Sequence, residues 1–112
     1  MANIEDIKKD IVQRSIESLG NVIDNIILFG SYARGDFDQE SDVDVMILLD
    51  CSQPDLPKYR NQLTLISSDI SLDDNITVSF VVRDKDTFYN KMSILPFYQN
   101  VQKDGVILYE RE

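Results

Sequence analysis

The chain has 112 residues, with 11 Lys plus Arg against 20 Asp plus Glu, for a formal net charge of −9. That balance argues against sequence-independent binding to a phosphate backbone, which needs clustered basic residues. With no histidine and one cysteine, Cys51, the chain can build neither a Cys/His zinc site nor a Ser-His-Asp or Cys-His nucleophile, and it can form no internal disulfide.

The first segment, "MANIEDIKKDIVQRSIESLG", is too charged for a signal peptide, and no stretch is apolar and long enough to span a bilayer. A single cytoplasmic domain, residues 1–112, is expected. Ile4, Ile7, Ile11, Ile16 and Leu19 recur at helical spacing, so residues 4–19 read as an amphipathic helix capped by Asn3 and stopped by Gly20. Ile26 to Phe29 read as a buried strand ending at Gly30. "SYAR" has room for one helical turn, expected to be capped by Ser31 and closed by Gly35.

After the loop "GDFDQES", residues 43–49, "VDVMILL", are apolar on both faces apart from one Asp, the pattern of a strand inside its sheet. Pro54 and Pro57 prepare a helix that carries Tyr59, Leu63, Ile66 and Ile70 on one face through about residue 72. "ITVSFVV", residues 76–82, gives a third strand, with Ile76, Val78, Phe80 and Val82 on one face. Asp84 caps a short helix, Pro96 opens a last one that Gly105 ends, and "VILY" at 106–109 supplies an edge strand. The order predicts an α+β (α/β) domain, helices packed on a small sheet.

The chemistry concentrates at residues 28–49, "LFGSYARGDFDQESDVDVMILL". Residues i and i+2 of a strand face one side about 7 Å apart, so Asp42 and Asp44 can converge on one site. Like charges that close repel unless a cation lies between them. The available ligands are oxygens, which suit magnesium, manganese or calcium, with phosphate oxygens completing the shell. Upstream, Gly30 allows close approach to the backbone, and the free N–H groups and hydroxyl at Ser31 can hold a phosphate. Taken singly, a Gly-Ser is a turn and an Asp-Val-Asp a solvated strand end. Gly-Ser, ten residues, then Asp-x-Asp arises by chance on the order of once per thousand such chains. The combination favours metal-assisted phosphoryl or nucleotidyl transfer.

"GSYARGDFDQESDVDV" resembles the signature of the DNA-polymerase-beta-like nucleotidyltransferase superfamily. The short chain resembles its minimal nucleotidyltransferase (MNT) group. "ILPFYQNVQKDGVILY" is similar to the ends of members that act as antitoxins beside HEPN-domain toxins. The resemblance implies a small mixed sheet flanked by helices. It further implies magnesium held by Asp42 and Asp44, and triphosphate contacts from Gly30 and Ser31. Transfer of AMP from ATP to a tyrosine of the toxin would silence it. Arg34 falls within the motif, as a phosphate or partner contact or as a structural ion pair, and Tyr32 packs beneath the turn.

The superfamily usually carries a third carboxylate on a later strand. Here that strand holds no acid, and Ser79 occupies the best-placed position. Asp73 and Asp84 bracket the strand from too far away to substitute. The alternative reading is therefore a catalytically weak or inactive antitoxin that neutralises its toxin by binding alone. A third reading, transfer to a small molecule, needs an acceptor pocket the chain has little length to build. An exposed sheet edge leaves room for pairing with another copy.

Overall fold

The computed structural model describes residues 3–38 and 40–111. Helix α1 spans Ile4–Leu19, with the Asn3 side chain accepting from Asp6 N at 2.9 Å and Gly20 ending it at φ 63°. A short 3-10 turn leads into β1, Ile23–Phe29, and a single-turn helix α2, Ser31–Arg34, follows. Strand β2 is Val43–Leu49, helix α3 is Leu56–Asp74 and strand β3 is Val78–Asp84. Helices α4, Lys85–Lys91, and α5, Pro96–Asp104, precede β4, Val106–Glu110.

The sheet order is β3-β2-β1-β4, with β1 antiparallel to both β2 and β4 and β2 parallel to β3. It is a mixed α+β sheet flanked by helices, as the sequence predicts. β2 is interior, and both of its faces are covered. Val43, Val45, Ile47 and Leu49 face a core shared with Ile7 and Ile11 of α1 and Leu63 and Ile70 of α3. Met46 and Leu48 face a second core with Phe88 of α4 and Tyr98 and Val101 of α5. This double burial is why the strand carries no polar alternation beyond its first residues. Truncating fully buried Leu63 to Ala costs about 2–5 kcal/mol through lost contacts and the cavity left behind.

Three boundaries differ from the sequence reading. β1 begins at Ile23 rather than Ile26, because Ile23 and Asn25 already pair with Leu49 and Leu48 across a bulge. β3 runs two residues later, from Val78 to Asp84. Its approach is tied to the end of α3, where Ile76 N donates to Ser71 O and Val78 N to Ser71 Oγ. Asp73 and Asp74 continue α3 instead of breaking it, and Asn75 in the left-handed region closes the helix.

Candidate active site

β1 leaves the sheet at Phe29, and the chain reverses at Gly30, whose φ of 75° and ψ of −155° lie in a region reserved for glycine. Gly30, not Ser31, is the N-cap of α2. Ala33 N and Arg34 N both donate to Gly30 O at 3.1 Å. The N–H groups of Ser31 and Tyr32 therefore precede the helical ladder and point out of its start. The Ser31 hydroxyl, expected to cap the turn, makes no capping bond and is left for other partners. Gly35 closes the turn in the left-handed region at φ 83°, as expected. Tyr32 is partly buried against the core and stacks on Phe37 at 4.2 Å.

Phe29 pairs with Asp44 across the β1–β2 ladder, which brings the Asp44 side chain under the Gly30 turn. A Cβ added at Gly30 would lie 2.5 Å from Asp44 Oδ2. The carboxylate is half-buried, and its pKa is raised, chiefly by burial and next by the charge of Asp42, while Arg34 pulls the other way. Neither Asp42 nor Asp44 has a hydrogen-bond or ion-pair partner among the described side chains. Asp44 is pressed into a cradle that only glycine leaves open, and with both carboxylates unpartnered each has oxygens that a hard divalent cation could use. No group of three or more Asp, Glu, Cys or His among the described residues completes such a site alone. The remaining ligands would have to come from a bound molecule.

An open cleft of about 410 Å³ is lined by Phe29, Gly30, Ser31, Arg34, Asp44, Phe97, Asn100, Val101 and Asp104. Four of the five expected site residues share it. Asp42, one residue before β2 and exposed, instead borders a neighbouring hollow with Glu40, Ser41 and Thr77, and acts on the cleft through its charge on Asp44. Arg34 is committed only to an exposed ion pair with Asp36 at 3.1 Å, a contact worth at most about 1 kcal/mol that an anionic ligand can displace.

On β3, Ser79 stands directly opposite Asp44 in the parallel register. Asp84, expected to lie beyond the strand, is the last residue of β3 and pairs with Leu49, so the strand does end in an acid, five positions from Ser79; that acid and Asp73 are both engaged elsewhere. Asp73 accepts from Arg14 at 2.7 Å, and buried Asp84 accepts from Thr87 N to cap α4. The sequence reading missed the wall that α5 contributes. Phe97, Asn100 and Asp104 follow helical spacing beside the buried pair Tyr98 and Val101, and that spacing was the available signal.

A mixed sheet whose first two strands present a Gly-Ser turn over an Asp-x-Asp pair is the architecture of a nucleotidyltransferase. Residues 4–107 match the nucleotidyltransferase domain family, and the chain belongs to it. A relative from Methanocaldococcus jannaschii, "Putative protein adenylyltransferase MJ0141", is 40% identical over 103 residues, covering 92% of each chain. Two solved structures share the fold. One is a toxin–antitoxin with AMP-PNP, at TM-score 0.58 and 16% identity over 94% of this chain and 74% of that one. The other is the tri-AMPylated HEPN toxin of Shewanella oneidensis in complex with an MNT antitoxin, at TM-score 0.58 and 16% identity over 96% and 72%. No helix among the described residues is long and apolar enough to cross a membrane.

Proposed function

We propose that this nucleotidyltransferase is a cytoplasmic, magnesium-dependent protein adenylyltransferase. It transfers AMP from ATP to a tyrosine of a partner HEPN toxin and so neutralises it. The observation that carries the reading is the shared cleft, in which the Asp44 carboxylate lies against Gly30 beneath the turn that starts α2. The 40% identical relative named for protein adenylylation and the fold shared with the toxin–antitoxin complexes support it.

In this reading the N–H groups at Ser31, its hydroxyl and Arg34 take the triphosphate oxygens. Asp42 and Asp44 would hold magnesium, which supplies charge neutralisation at the phosphates and lowers the pKa of the acceptor hydroxyl. The acceptor oxygen attacks the α-phosphorus, the bond to the β-phosphate oxygen breaks, pyrophosphate leaves, and the tyrosine proton passes to solvent. A bound cation would favour the ionised form of Asp44, against the burial that raises its pKa.

Ser79 favours a second reading. A neutral oxygen opposite Asp44 holds a cation near the acceptor poorly, which suits an antitoxin that acts by binding alone. Incubation with magnesium-ATP and a HEPN-domain protein encoded beside this chain would separate the two. A mass gain of one or more AMP groups on a partner tyrosine, lost in Asp44→Asn, supports the enzyme. Neutralisation of the toxin with no mass gain replaces it with the binding reading.

A further inference from the structure

We infer that one face of α5, formed by Phe97, Asn100 and Asp104, is the nucleoside-binding wall of the cleft and selects adenine. This rests on the nucleotide reading above and extends it to the base and sugar. The cleft has two chemically unlike sides. Gly30, Ser31 and Arg34 offer N–H groups, a hydroxyl and a cation, whereas α5 offers an aromatic ring, an amide and a carboxylate. A triphosphate is repelled by Asp104 and drawn to Arg34. The side across from the phosphates therefore faces the uncharged nucleoside, whose ribose hydroxyls are donors that a carboxylate accepts.

The dimensions and the state of the side chains agree. Residues 97 and 104 are seven positions apart, about 10 Å along a helix, the reach of a base joined to its sugar. Phe97 packs edge-on against Phe29, with centroids 5.5 Å apart at 75°, yet remains 42% exposed, so part of its ring surface is open to the cleft. Asn100 and Asp104 have no side-chain hydrogen-bond or ion-pair partner among the described residues, although Tyr98 on the adjoining face is engaged by Arg83 Nε at 3.1 Å. The anchoring of α5 is thus provided by Tyr98 and Val101, and the cleft-facing residues are spare. An amide is the side chain that pairs with the adenine edge by one donor and one acceptor, N7 and the 6-amino group. Guanine presents two acceptors there, so one half of the amide is mismatched.

Calorimetry with magnesium-ATP, magnesium-GTP and magnesium-tripolyphosphate tests this on the intact chain. Wild type should bind ATP more tightly than GTP and both more tightly than tripolyphosphate. Asn100→Ala should weaken ATP about tenfold and erase the preference over GTP, while tripolyphosphate is unchanged. Phe97→Ala should weaken both nucleotides about tenfold or more through lost stacking, again sparing tripolyphosphate. Asp104→Asn should weaken ATP more than 2′,3′-dideoxy-ATP. Circular dichroism confirms folding, and Asn100 is exposed, so its truncation leaves the core intact. If wild type binds tripolyphosphate as tightly as ATP, or Asn100→Ala leaves the ATP preference untouched, the wall is misassigned while the phosphate turn stands. If wild type binds neither, the nucleotide reading falls and this inference with it.

Discussion

Ser79 is the direct parallel-strand neighbour of Asp44. A carboxylate at position 79 would stand beside Asp44 on the adjacent strand. Ser79→Asp should raise the single-turnover rate of AMP transfer at least about tenfold, some 1.4 kcal/mol of barrier, with ATP affinity nearly unchanged. The added charge beside half-buried Asp44 should also lower Tm without metal, and magnesium should restore it. A variant that folds and shows no metal-dependent Tm recovery and no faster transfer removes the third-carboxylate account.

Asp42→Asn combined with Asp44→Asn should abolish the magnesium dependence of ATP binding and leave the fold intact, because neither carboxylate bonds to a group among the described residues. Wild type should bind ATP weakly until magnesium is added, since the two charges repel the triphosphate. Titration calorimetry with and without magnesium checks both points. Wild-type magnesium-ATP binding by the double variant would reject the site.

Gly30 and Gly35 make a matched pair, since both have positive φ but only Gly30 faces a neighbour. Gly35→Ala meets open space and should cost about 1–2 kcal/mol of backbone strain with ATP binding retained. Gly30→Ala should cost about 1–3 kcal/mol from the backbone alone and more from displacing the Asp44 carboxylate, with magnesium-ATP binding lost. Equal effects of the two on binding would show that the Asp44 contact is unimportant.

Metal-free stability should respond to pH in opposite senses at two aspartates. Burial and Asp42 raise Asp44 above 3.8, so the folded state holds that proton more tightly and stability falls as pH rises through the range above 3.8. The hydrogen bond from Arg111 and the charge of Lys85 lower Asp50 below 3.8, so its contribution is present above that value and is lost as pH falls below it. Asp44→Asn should flatten the descent on the neutral side, and Asp50→Asn the descent on the acid side. Denaturation midpoints measured in EDTA across pH 3 to 7, on the order of one pH unit apart, check the assignment. A change on the same side for both variants would contradict it.

The Gly30 end of the cleft is legible in the sequence because it depends on local rules. The Gly-Ser break after an apolar run fixes the turn, and strand alternation puts Asp44 and Ser79 on their shared face. Position 79 stands out in the sequence as the central position of its strand, and the parallel β2–β3 register then sets it opposite Asp44. The cap at Ser31 was misread because a serine after glycine resembles an N-cap, whereas the φ of 75° at Gly30 moves the cap back by one. The start of β3 slipped because the Ser71 hydroxyl and carbonyl, seven and five residues upstream of their donors, hold Val78 and Ile76. Helical spacing marks Phe97, Asn100 and Asp104 as one face of α5, but that this face lines the cleft depends on how the helix, far along the chain from Asp44, lies across β1, which no local pattern encodes.

That separation has a kinetic meaning for a chain made from its N-terminus. The turn and both aspartates are adjacent in sequence and meet through one antiparallel pair, so they can assemble early. Phe97 follows Asp44 by 53 positions, and the strand after α5 pairs Val106 with Leu28 across 78. At roughly 5–20 residues per second, the Gly30 turn and Asp44 wait some 3–10 seconds for the α5 side of the cleft to be synthesised. The two sides of the cleft are therefore made at separate times, and α5 is the part that completes it.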